Sequence, residues 1–110
     1  MAGKGLITGA GAIALALPVF ADDAGLIGIL AIEGDVAYGE YLSTECTACH
    51  GTEGGRIPPL AGLPAEYFAA ALHDYREGHR DNAVMGNVAK SLGDEEIAAL
   101  AAYFSALEGH

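Results

Sequence analysis

Apolar positions recur at helical spacing in three stretches of the chain, and no segment alternates as a half-buried strand would. In "DVAYGEYLSTE", from Asp35 to Glu45, Tyr38, Tyr41 and Leu42 share one face, and Asp35 suits a helix start. "PAEYFAAALHDYREG" predicts a second helix. Pro64 fits its first turn, Gly78 fits its stop, and Tyr67, Phe68, Ala71, Leu72 and Tyr75 form one apolar stripe. "GDEEIAALAAYFSALEG" is the clearest of the three. Asp94, Glu95 and Glu96 sit at the positive end of its dipole. Ile97, Leu100, Ala101, Phe104 and Leu107 fall within about 120° of arc on the helix. Gly51 to Pro64 reads as loop, and His79 to Lys90 as mostly irregular. The pattern predicts an all-α domain of three to four short helices.

The opening segment follows a different logic. "MAGKG" carries one positive charge, "LITGAGAIALALP" is a short apolar run, and "VFA" precedes two aspartates, which is the layout of a cleaved secretory signal. Cleavage after Ala21 is expected, giving a leader over 1–21 and an exported, periplasmic protein. The alternative is an uncleaved membrane anchor, although the run is shorter than the ~20 residues of a span. "AGLIGILAIEG", within an apolar N-terminal extension at 22–33, packs either on the domain or on a partner. The domain proper occupies 34–110.

Charge narrows the partners. The 110-residue chain has five basic and fifteen acidic residues, and loss of Lys4 with the leader takes the net charge from −10 to −11. Such a surface repels nucleic acid and anionic lipid and attracts basic docking surfaces. A mature chain of about ninety residues without Trp is marginal for a self-sufficient core, so a staple is expected.

"ECTACHG" holds the chain's two cysteines, Cys46 and Cys49, with His50 directly behind. A disulfide between them closes too short a loop to stabilise much. Structural zinc needs four side-chain ligands. His73 is a poor fourth, because it lies between Glu66 and Glu77, opposite the apolar stripe, and is expected in solvent. A thioredoxin-like pair follows a strand and opens a helix, whereas this pair follows a helix. Cys-x-x-Cys-His is also the attachment pattern of c-type haem. Two thiols one turn apart each add across a vinyl group, and the adjoining His meets the iron. Export, which haem attachment of this kind requires, is what the leader predicts. Haem iron in electron transfer is commonly held by His and Met. With Met1 lost, Met85 is the remaining methionine, placed in a loop between two helices, and His79 is its rival.

These motifs together resemble the small monohaem class I c-type cytochromes. A "GEYL" helix leads into "CTACHG", "IPPLAG" follows, then "YF…L..Y", a Met segment and "DEEIAALAAYFSAL". The texture around "VMGNVAK" is most similar to cytochrome subunits of flavocytochrome c sulfide dehydrogenases and related sulfur-oxidation cytochromes. The resemblance implies a class I cytochrome c fold, its helices wrapped around one haem c bound through Cys46 and Cys49. It implies His50 and Met85 as iron ligands, and Pro58 as the carbonyl that accepts the His50 imidazole N–H, with Pro59 close behind. It implies packing of Gly39 and Leu42 near Phe104, and a place for Arg80 beside a haem propionate. Tyr67 and Tyr75 are expected in the core. The implied function is one-electron transfer as a soluble carrier, not catalysis by this chain. The alternative is the haem subunit of a flavin-dependent sulfide or sulfur-compound dehydrogenase, with a flavoprotein partner against Ala24 to Ile32.

Overall fold

The computed structural model of the protein describes residues 21–51 and 56–108, so the expected leader up to residue 20 falls outside the described residues. Five helices and no strand occur among them. They are α1 (Ala21–Leu30), α2 (Val36–His50), α3 (Ala65–Glu77), α4 (Ala83–Lys90) and α5 (Asp94–Ala106). The all-α expectation holds, with α1 and α4 added to the three helices that periodicity predicts.

The α2–α5 crossing is the most extensive contact between elements. It is built on small residues. A Cβ at Gly39 would collide with the Ala99 carbonyl, and one at Gly34 with the Ala98 carbonyl, so the two backbones touch where a side chain would separate them. Both helix starts are capped. Asp35 Oδ1 accepts the N–H of Ala37 at 2.9 Å and that of Tyr38 at 3.2 Å. Glu96 Oε1 accepts the N–H of Gly93 at 2.8 Å. The same Glu96 ties the helices together, because Tyr38 donates its hydroxyl to Oε2 at 3.1 Å. That hydrogen bond is the main cause that raises the Tyr38 phenol above its ordinary value.

The core is centred on α5. Ile97, Leu100 and Phe104 are fully buried there, joined by Phe68 and Leu72 of α3, Ile29 of α1 and Ala89 of α4. Phe68 stacks on Phe104 with ring centroids 5.5 Å apart. The loop before α3 is pinned to the same place by the Gly62 N–H, which donates to the Phe104 carbonyl at 2.9 Å. Gly78, at φ 83°, ends α3 in the left-handed conformation that favours glycine. Arg76 then links α3 to α5 through Asp94 at 2.9 Å and the Leu92 carbonyl at 3.1 Å.

Several expectations are corrected. On α2 the face against α5 is Gly39 and Ser43, with Leu42 partly buried, while Tyr38 and Tyr41 are exposed. The buried face of α3 includes Ala69 and His73, leaving Tyr67 in solvent while Tyr75 packs on the core. His73 is buried because α1 lies along α3 and covers the flank that would otherwise meet water. Leu107 is the C-cap of α5 and partly exposed. His79 to Lys90 is not mostly irregular. Asn82 caps a helix there by accepting the Met85 N–H at 3.0 Å, so Met85 lies in the first turn of α4 rather than in a loop. The apolar extension packs on the domain, with Ile29 buried and Leu26 and Ile32 against the core, while Ile27 and Leu30 stay exposed.

Candidate functional site

The last turn of α2 carries the site. The helix continues through the Cys pair to His50, so Cys46 and Cys49, three residues apart, stand one above the other on one face. Cys46 packs against the edge of the core and Cys49 is exposed, both as free thiols. Burial pushes the Cys46 thiol up, and the neighbouring Glu45 carboxylate adds to this. A reactive redox pair needs the opposite setting, with positive charge that favours thiolate. Among the described residues no three His, Cys, Asp or Glu side chains converge as a metal site.

His50 is oriented from outside its helix. Its Nδ1 lies 2.7 Å from the Pro58 carbonyl oxygen. A carbonyl only accepts, so Nδ1 carries the hydrogen, and the neutral imidazole keeps its lone pair on Nε2. A histidine held this way is prepared as a metal ligand, because the second hydrogen bond sets its tautomer and ring orientation. The structure thus brings together His50 and Pro58, eight residues apart.

Met85 is half-buried on α4 and packs against the same core cluster as Cys46. Its neighbours along the chain are open to water. Val84 and Val88 on α4, Ile57 beside Pro58 and Tyr67 on α3 are exposed large apolar side chains. Isolated exposed hydrophobics are ordinary. Here Ile57 adjoins Pro58 and Val84 adjoins Met85 in the chain, so two of them flank residues of the candidate site. The donor set fits covalently attached haem c. It has two thiols one turn apart, an imidazole with its Nε2 lone pair free, a thioether, and apolar side chains that an apolar macrocycle would cover.

Arg80 lies between α3 and α4 in the chain. Its guanidinium stacks 4.7 Å over the Tyr75 ring. With Asn82, Gly86 and Lys90 it lines a shallow depression beside α4. Sequence reading did not single out the exposed Ile57, Val84 and Val88. Val84 and Val88 are four apart on α4, and that spacing was the available signal.

Residues 36–108 match the family described as cytochrome c. The cytochrome subunit of sulfide dehydrogenase from Chlorobaculum tepidum is 44% identical over 72 residues, which is 63% of this chain and 66% of that protein. Cytochrome c-554(548) of Halomonas halodenitrificans is 42% identical over 82 residues, 68% of this chain and 99% of the relative. A thiosulfate dehydrogenase electron acceptor of Stutzerimonas stutzeri is 43% identical over 68 residues, 56% of this chain and 32% of its own length. The chain therefore spans nearly all of one relative, just under two thirds of another and about a third of the last.

Proposed function

Because the chain belongs to the cytochrome c family, whose members are electron carriers, we propose that it transfers single electrons through one haem c joined to Cys46 and Cys49 and ligated by His50 and Met85. The haem would supply a reversible one-electron ferric/ferrous couple. The protein's part is to hold and shield it. The two thiols anchor the group to α2, and the Pro58 carbonyl keeps His50 Nε2 available. The Asn82 cap fixes the turn of α4 from which Met85 presents its thioether. With His50 and Met85 both holding the iron, no coordination site would be left for substrate, which suits a carrier rather than an enzyme. Methionine ligation and burial both raise the potential.

The observation that carries this reading is the 2.7 Å contact of His50 Nδ1 with the Pro58 carbonyl, because it gives one histidine a ligand's tautomer directly behind the Cys pair. Absorption spectra of haem-loaded protein test the ligand set. The weak far-red band of a methionine–ferric bond is expected in the wild type and absent in Met85→Ala. If the band persists in Met85→Ala, or never appears, a different sixth ligand is present and His79 is the first to examine.

Export to the periplasm follows from the leader-like segment at 1–21. No helix among the described residues is long and apolar enough to cross a membrane. At a net charge of −10, or −11 once Lys4 leaves with the leader, the carrier would dock on basic surfaces of its redox partners. A second reading has a specific support. The similarity to a sulfide dehydrogenase cytochrome subunit favours a place as the haem subunit of a flavin-dependent dehydrogenase. Co-elution with a flavoprotein in gel filtration would favour the subunit, and migration as a free monomer the carrier. The partner face of α1 would then be limited to its outer side, since Ile29 is taken up by the core.

A further inference from the structure

Ser43 and His73 are the buried polar side chains among the described residues. Ser43 is satisfied, since its hydroxyl donates to the Glu40 carbonyl at 2.7 Å. His73 is not. It is 3% exposed, and neither ring nitrogen has a hydrogen-bond partner. Buried polar groups are nearly always paired, so an orphaned imidazole calls for an explanation.

What seals His73 is α1. That helix packs along α3, and a Cβ at Gly25 would sit 2.9 Å from His73 Cε1, so the ring lies directly beneath the α1 backbone. Residues 24–32 carry no polar side chain, and apolar contact centred on Ile29 holds them to the body. The helix precedes residues 36–108, the part that matches the family model.

A neutral imidazole is tolerated under such a cover at a modest cost. An imidazolium is not, because it brings a full charge and two N–H donors to a place with no acceptor. We propose that His73 is a proton-operated latch on α1, closed over a neutral ring and opened when the ring takes up a proton and must reach water. Opening would also bare the apolar inner face of α1 with Leu26 and Ile29 and the flank of α3 beneath it.

The surrounding charges do not supply an internal partner. On α3, Arg76 is held by Asp94 of α5, Asp74 lies 3.9 Å from His79, and Glu66 and Glu77 are exposed. On α5, Glu96 is taken by Tyr38 and the Gly93 N–H, and Glu95 is exposed. Lys90 of α4 is exposed. On α1 the titratable residues are Asp22 and Asp23, at the start of the helix.

The sign follows from linkage. The closed state offers no acceptor to a charged ring, so closure is favoured at higher pH and lost as pH falls. The open-to-closed ratio should rise about tenfold between about pH 7.5 and about pH 5.5.

Amide hydrogen exchange on the haem-loaded protein reads this directly. After correction for intrinsic exchange, protection at Ala31 and Ile32, whose N–H groups donate to Ile27 and Ile29 carbonyls, should fall about tenfold over that interval while α5 amides hold steady. In His73→Leu the fall should vanish. Should that variant not fold, His73→Gln carries the same expectation, and an imidazole NMR titration of the wild type should track α1 opening. Protection that is independent of pH, that rises in acid, or that falls equally in the variants or in α5 would overturn the latch.

Discussion

The two halves of α2 meet their surroundings in different ways. In its first half the backbone lies on α5 through Gly39, its N-terminus is capped by Asp35, and Tyr38 reaches Glu96, so the contact is closed and polar groups are paired. Its last turn presents two free thiols and a histidine held by the Pro58 carbonyl, and Ile57, Val84 and Val88 are exposed in the segments that carry Pro58 and Met85. One half is complete with protein atoms alone. The other has the form of a mould, and we expect its order to depend on what is joined to it. A small chain with a limited core gains from this division, because the cofactor serves both as working group and as staple.

The largest expected effect breaks the second half. Cys46→Ala/Cys49→Ala, made without haem, should lose stable structure at α4 and around Pro58. Residual hydrogen-exchange protection should be confined to the α2–α5 crossing. Uniformly native amide dispersion in NMR spectra of that variant would show that the site needs no cofactor to order it. Next in size is Gly39→Val. Its side chain cannot coexist with the Ala99 carbonyl at the present separation, and overpacking of this kind costs roughly 1–3 kcal/mol or more. Denaturant unfolding of the haem-loaded protein measures the loss, and unchanged stability would mean that the crossing is looser than described. The smallest is Asp35→Ala, which removes the α2 cap and should cost about 1 kcal/mol without altering the haem spectrum. A spectral change there would couple the two halves more tightly than the comparison allows.

The same contrast explains what the sequence revealed. The motif residues of the mould were legible because their chemistry is written in residue type and spacing, and α5 because its apolar positions follow one stripe. The close crossing was less so. Its face on α2 is glycine and serine, which have no hydrophobic signature, and the tyrosines that seemed to mark that face point outward. Short α4 hid behind Asn82, Gly86 and Asn87, which read as loop until the Asn82 cap is seen to start a helix. His73 was misplaced for a topological reason. Between Glu66 and Glu77 it has a solvent pattern, and only the return of α1 along α3 buries it. Local periodicity carries no information about a helix that arrives from elsewhere in the chain.

The most direct test of the central claim is a potentiometric titration of the haem-loaded wild type alongside Met85→Ala. A carrier with His50 and Met85 as ligands should follow a single one-electron Nernst curve at positive potential, and the substitution should lower that potential while leaving the haem attached. A curve that Met85→Ala does not shift, or a wild-type midpoint at strongly negative potential, would contradict that ligand set and with it the mould described for α2 and α4.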